Sequence, residues 1–136
     1  MVKEVEDEGL DTLYTKRRYT KVSPVHYETV VEGMRAAVTG GTCRKANIPG
    51  IEVCGKTGTA QNRGKDHSAF LGFAPKDNPQ IAIAVYVENG GWGATYGVPI
   101  GALMMEQYIK GKLSPESEVK AAEIQSRRID YGLHER

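Results

Sequence analysis

A chain of 136 residues, 40% of them hydrophobic, is long enough for one small domain and apolar enough to bury a core. A formal net charge of +1 offers no basic surface for nucleic acid, and no apolar run approaches the roughly 18 residues of a membrane span. The acidic start, Met1 to Glu8, lacks the apolar stretch of a signal peptide, so the chain as it stands reads as soluble.

Val2 to Val5 reads as a short strand, residues 1–21 as a connector, and Lys16-Arg17-Arg18 as a solvated charge cluster. The spacing then predicts a helix over 22–39. Ser23 is placed to cap it, Pro24 suits its first position, and Val22 and Tyr27 suit a hydrophobic staple. Tyr27, Val30, Val31, Met34 and Val38 recur at helical spacing and form the expected core stripe. Gly40-Gly41 is expected to end the helix in the left-handed conformation.

Three antiparallel strands are predicted within 51–87. The first runs from Ile51 and Val53 through Gly55-Lys56-Thr57, and the second over Ser68 to Ala74. The third, Ile81 to Val87, alternates large and small residues, so one face packs heavily. The turn-rich Pro75 to Pro79 is too short for a parallel crossover. A helix over 98–111 carries Ile100, Leu103, Met104 and Tyr108 and stops at Gly111. Ser114-Pro115 opens a more polar helix within a C-terminal extension over 112–136, whose tail from Ile129 is expected to be loose. The order is α+β: a three-stranded antiparallel meander with helices packed on it.

The stretch Gly50 to Gln61 carries the chemistry. Gly50, Gly55, Lys56 and Thr57 fit the phosphate-loop pattern G-x-x-x-x-G-K-[ST], and Lys56-Thr57-Gly58 fits K-T-G. A phosphate loop needs a buried strand before it and a helix N-terminus after it. Cys43 to Pro49 is a poor strand, and Gly58 with Gln61 to Asp66 is poor helix, which counts against nucleotide binding. On an ideal strand Lys56 and Gly58 share one face and Thr57 and Thr59 the other, while a sheet edge also offers its amides to a ligand. Gly58 leaves room for an extended peptide to approach.

The match extends well past the tripeptide. Glu52-Val53-Cys54-Gly55-Lys56-Thr57-Gly58-Thr59-Ala60-Gln61 is followed by His67-Ser68-Ala69-Phe70-Leu71-Gly72-Phe73-Ala74-Pro75 and preceded by Val31-Glu32-Gly33-Met34-Arg35-Ala36-Ala37-Val38. Over residues 20–111 this resembles the C-terminal part of the transpeptidase domain of class B penicillin-binding proteins of the elongation type. The resemblance implies part of the five-stranded sheet of the penicillin-binding and serine β-lactamase-like fold. It implies peptidoglycan D,D-transpeptidation through an acyl-serine, with stem peptides and β-lactams as ligands and no cofactor or metal. It further implies an inner-membrane anchor on a longer parent, a periplasmic catalytic domain and partners in the cell-elongation machinery.

By the same resemblance, Lys56 supports the proton network around the nucleophilic serine, and Thr57 contacts the substrate carboxylate. Thr59 supplies a backbone N–H to the oxyanion hole and a hydroxyl to that carboxylate, and Gly58 keeps the strand open. The family's nucleophile motif S-x-x-K and its S-x-N motif should both precede K-T-G. No S-x-N exists here, and the sole S-x-x-K, Ser117-Glu118-Val119-Lys120, comes after K-T-G on a polar helix. The chain is therefore expected to be one wall of an active site, inactive alone. Its uncovered edge at 81–87 is expected to promote self-association. Alternatives are a β-lactamase or β-lactam-sensor fragment, or an interaction module. Cys43 and Cys54 are either two small buried residues or a disulfide. In an oxidising periplasm the bridge would contribute about 3 kcal/mol.

Overall fold

A computed structural model of the chain describes residues 19–131. The expected strand at Val2–Val5, the Lys16-Arg17-Arg18 cluster, most of the connector and the end of the tail lie outside the described residues.

The first helix, α1, spans Pro24–Thr39 with proline at its start. Ser23 occupies the cap position with extended backbone, but its side chain makes no capping bond. The expected core stripe holds only in the C-terminal half. Val38 is buried and Val31 and Met34 half-buried, whereas Tyr27 and Val30 are 44% and 59% exposed. Val22 is exposed as well, and the Tyr27 hydroxyl bonds instead to that of Thr20.

The helix end also differs from expectation. Gly40 sits at φ −141°, outside the left-handed region, so conformational freedom is not what selects glycine here. The reason is contact: a Cβ on Gly41 would stand 2.8 Å from Cα of Ala37. The Gly41 and Cys43 amides both donate to the Ala37 carbonyl, at 3.1 and 2.9 Å, folding the chain back onto the helix end. A 3-10 turn at Arg44–Ala46 and a tight Ile48–Ile51 bridge, with Gly50 at φ 79°, then deliver the chain to the sheet. Arg35 on α1 ties this segment down by donating to the Val53 carbonyl at 3.0 Å.

The sheet has three antiparallel strands in the order β1-β2-β3: β1 Cys54–Ala60, β2 His67–Ala74 and β3 Ile81–Val87. β1 starts three residues later than the sequence suggested, because Ile51 and Val53 are buried in the preceding turn. On β3 the predicted face is inward: Ile81, Ile83, Val85 and Val87 are half-buried while Ala82, Ala84 and Tyr86 are exposed.

Phe70 on β2 is the centre of the core and fully buried. It sits under α2, Gly97–Lys110, which ends at a left-handed Gly111 (φ 73°) as expected. Of the apolar residues expected on α2, Ile100 and Leu103 are half-buried. Val98, Ala102 and Met105 are buried with Gly97 and Gly101, while Met104 and Tyr108 are 54% and 62% exposed. Small residues form the inner face because the Phe70 ring needs the helix backbone close by. A Cβ on Gly101 would lie 2.6 Å from the ring.

The last helix, α3 (Pro115–Ser126), is capped by Ser114, whose hydroxyl accepts from the Ser117 amide at 3.4 Å. α3 docks on α2 through a buried polar contact. The Ser117 hydroxyl donates to the Glu106 carboxylate, which also receives Lys110 Nζ at 3.2 Å. Burial pushes the Glu106 carboxyl up, but hydrogen bonds from Ser117, Lys110 and Ser114 outweigh it and hold the pKa below the ordinary carboxylate value.

Candidate active site

Within the described sheet β1 has a neighbour on one side only, so its other edge is free to meet a ligand. The register settles which groups line that edge. Thr57 pairs with Phe70, Gly58 with Ala69 and Thr59 with Ser68. A Cβ on Gly93 would lie 2.7 Å from the Gly58 carbonyl oxygen and 2.4 Å from that of Ala69, so the two oxygens converge between the strands. Gly58–Ala69 is thus a hydrogen-bonded pair, and antiparallel alternation makes its neighbours the open pairs. The N–H and C=O groups of Thr57 and Thr59 therefore point off the sheet at the outer edge, where the Thr57 backbone is hydrogen-bonded to the Cys43 thiol and Thr59 lies exposed.

Side chains complete the edge. Lys56 leaves the face away from α2, and its exposed ammonium wraps round the edge. Its Nζ donates to the Thr57 carbonyl at 3.1 Å and to Thr57 Oγ1 at 3.4 Å. Thr57 lies on the opposite face with Phe70, half-buried, and its hydroxyl oxygen is 2.8 Å from that of Thr42. Thr59 is exposed at the same edge. Gly58 sits over Ala69, where a Cβ would approach the Ala69 Cβ to 3.3 Å. Lys56, Thr57 and Thr59 thus offer one ammonium, two hydroxyls and the outward amide of Thr59 on a single edge, a donor-rich setting for an anion or a developing oxyanion.

Cys43 and Cys54 are not bridged. Both are fully buried free thiols, the first of the two arrangements that the sequence left open. They sit in different surroundings. Burial pushes the Cys43 thiol up against the opposing pull of Thr42, Thr57 and the Lys56 charge. Cys54 is also pushed up by burial, beside Arg35 and Lys76. Each fills the apolar packing as a small hydrophobe.

No serine in the described residues is set up to attack at this edge. The Ser68 hydroxyl is buried, donating to the Trp92 carbonyl at 2.9 Å and accepting from the Gly97 amide at 3.0 Å. Ser117 of the chance S-x-x-K is held by Glu106. The phosphate-loop alternative fails on geometry: residues 54–60, where a helix would have to begin, are a strand. A cavity of about 620 Å³ lies elsewhere, between the Lys45–Pro49 turn, α2 and α3, and no residue of β1 lines it. Sequence reading passed over Thr42, because a contact between hydroxyls 15 residues apart leaves no local signal.

K-T-G, here on an edge strand of the described sheet, is one of the motifs of penicillin-recognising serine enzymes. The chain belongs to the penicillin binding protein transpeptidase domain family, which matches over residues 1–107. It is 40% identical over 80 residues to the peptidoglycan D,D-transpeptidase MrdA of Acinetobacter baumannii, covering 47% of this chain and 12% of that protein. It is 32% identical over 123 residues to the stage V sporulation protein D of Bacillus subtilis, covering 78% of this chain and 19% of that one. Among solved structures it resembles Pseudomonas aeruginosa PBP2, with a TM-score of 0.60 and 40% identity over 72% of this chain and 23% of that one. It also resembles the ceftriaxone acyl-enzyme complex of penicillin-binding protein A from Mycobacterium tuberculosis, with a TM-score of 0.61 and 32% identity over 69% of this chain and 24% of that one. The chain therefore spans less than a quarter of each of these relatives.

Proposed function

We propose that this chain is the K-T-G wall of a peptidoglycan D,D-transpeptidase whose attacking serine comes from sequence outside these 136 residues. The observation that carries the reading is the outer edge of β1, where Thr59 turns its amide outward on the edge that the Lys56 ammonium wraps. In the reaction, an activated serine attacks the carbonyl of a stem-peptide D-alanyl bond or of a β-lactam, and negative charge builds on that carbonyl oxygen. The Thr59 N–H, fixed by the sheet before substrate arrives, stabilises that charge at no reorganisation cost. Thr57 and Thr59 hydroxyls bind the substrate carboxylate. Lys56 adds positive charge and takes part in the proton network around the serine, and Gly58 leaves the edge open to an extended peptide. The parent works in the periplasm, anchored in the inner membrane, alongside the elongation machinery. Among the described residues no helix is long and apolar enough to cross a membrane.

Proline at position 59 tests the central role. An edge strand tolerates proline where its N–H faces solvent, so Thr59→Pro removes the donor and leaves the sheet. In the complete enzyme it is expected to slow penicillin acylation by about 10²–10³-fold, while Thr59→Val, which removes only the hydroxyl, costs far less. Equal rates for Thr59→Pro and wild type would remove Thr59 from the oxyanion hole.

A further inference from the structure

Thr42 lies three residues past the end of α1, outside the K-T-G motif, with its hydroxyl oxygen 2.8 Å from Thr57 Oγ1. The chain fixes it there from behind. Gly41 is packed against the α1 backbone, and Cys43 is fully buried with its amide bonded to Ala37. Thr42 between them is exposed, and its hydroxyl meets both Thr57 and the buried Cys43 thiol.

A threonine hydroxyl has one proton to give and two lone pairs to fill. Lys56, a donor only, reaches Thr57 Oγ1 at 3.4 Å and fills one lone pair. The direction of the Thr42–Thr57 bond decides the rest. If Thr57 gives its proton to Thr42, or to the Cys43 thiol that its side chain also meets, no proton remains for a ligand. If Thr42 is the donor, both lone pairs of Thr57 are occupied and its proton can turn to an acceptor at the open edge. A carboxylate can only accept, so its arrival selects the second arrangement.

We infer that Thr42 is a positioning residue: by donating to Thr57 Oγ1 it aims the Thr57 proton at the carboxylate of the substrate or β-lactam. Its contribution is to carboxylate recognition and not to acyl transfer itself. This rests on the reading of Thr57 as a carboxylate contact.

The test uses the complete transpeptidase carrying this segment. Serine acylation rates are measured with benzylpenicillin and with its methyl ester, which lacks the carboxylate charge, for wild type, Thr42→Val, Thr42→Ala, Thr42→Ser and Thr57→Val. Thr42→Val and Thr42→Ala are expected to slow the acid about five- to tenfold, the worth of one uncharged hydrogen bond, and to leave the ester rate unchanged. Thr42→Ser should restore the acid rate, with thermal midpoints alike throughout. An equal loss on both compounds makes Thr42 merely structural and overturns the inference, as does no loss on either. If Thr57→Val is selective for the acid and Thr42→Val is not, only the role of Thr42 falls. If Thr57→Val is itself indifferent to the carboxylate, the reading of Thr57 falls and the inference with it.

Discussion

Two glycine-to-alanine substitutions, both inside helices, should change stability in opposite directions. Gly33 in α1 is exposed, and a Cβ there would meet nothing within 4 Å. Alanine at 33 therefore gains only helix propensity, about 0.5–1 kcal/mol of added stability. Gly101 in α2 carries the same propensity gain but faces Phe70. Its Cβ would stand 2.6 Å from Cδ1 and 2.7 Å from Cε1 of the ring, with Val85 at 3.5 Å. The ring has no retreat, because it already lies against the sheet backbone. Cβ atoms on Gly55 and Gly72 would come within 2.5 and 2.7 Å of it. Relief requires moving α2 outward by on the order of 1 Å, in a core where overpacking costs about 1–3 kcal/mol. The net expectation for Gly101→Ala is a loss of about 1–2 kcal/mol. Urea unfolding followed by circular dichroism reads both variants. In a Phe70→Leu background the Gly101→Ala penalty should shrink, since the clashing ring edge is gone. A Gly101→Ala protein as stable as wild type would refute the claim that Phe70 sets the distance between α2 and the sheet.

Acid should loosen α3 through Glu106. Its carboxyl is held below the ordinary value of 4.5, so the folded state binds its proton less readily than the unfolded chain. The stabilisation is present above that ordinary value and is lost as pH falls through the folded value. Glu106→Gln should show a shallower stability loss between about pH 5 and 3 than wild type, and parallel curves would dismiss the effect. Thiol titration of unreduced, denatured protein should count two thiols, and none would restore the disulfide. The outer edge of β3 pairs with no strand among the described residues, and Leu71 and Tyr86 are 60% and 57% exposed on the sheet face away from α2. Light scattering of this chain should therefore show mass rising with concentration, whereas a monomer throughout would argue against that surface being adhesive.

Elements with a strong local period were legible in the sequence. β3 was placed residue for residue, because alternation of Ile81, Ile83, Val85 and Val87 with smaller side chains directly encodes a sheet with one heavy face. α2 was placed to within a residue, but which of its apolar residues face the core was not legible. Large apolar residues mark a core face only when the partner surface is flat. Here Phe70 projects from the sheet, so the inner stripe is built of Gly97, Gly101 and Ala102, and Met104 and Tyr108 turn outward. The end of α1 was misread for a similar reason, since Gly41 answers to a contact with Ala37 and not to its own dihedral angles. Of the site, the placement of Lys56, Thr57 and Thr59 on a strand was legible from residue type and alternation. The Thr42–Thr57 contact was not, because it depends on how the 40–53 segment folds back across α1.

The most direct measurement is intact-protein mass spectrometry of this 136-residue chain and of the complete enzyme after exposure to benzylpenicillin. If Lys56, Thr57 and Thr59 bind and polarise but nothing here attacks, the complete enzyme gains one penicilloyl group and this chain keeps its unmodified mass. A stable penicilloyl adduct on this chain would contradict that division of labour and place a nucleophile within these residues.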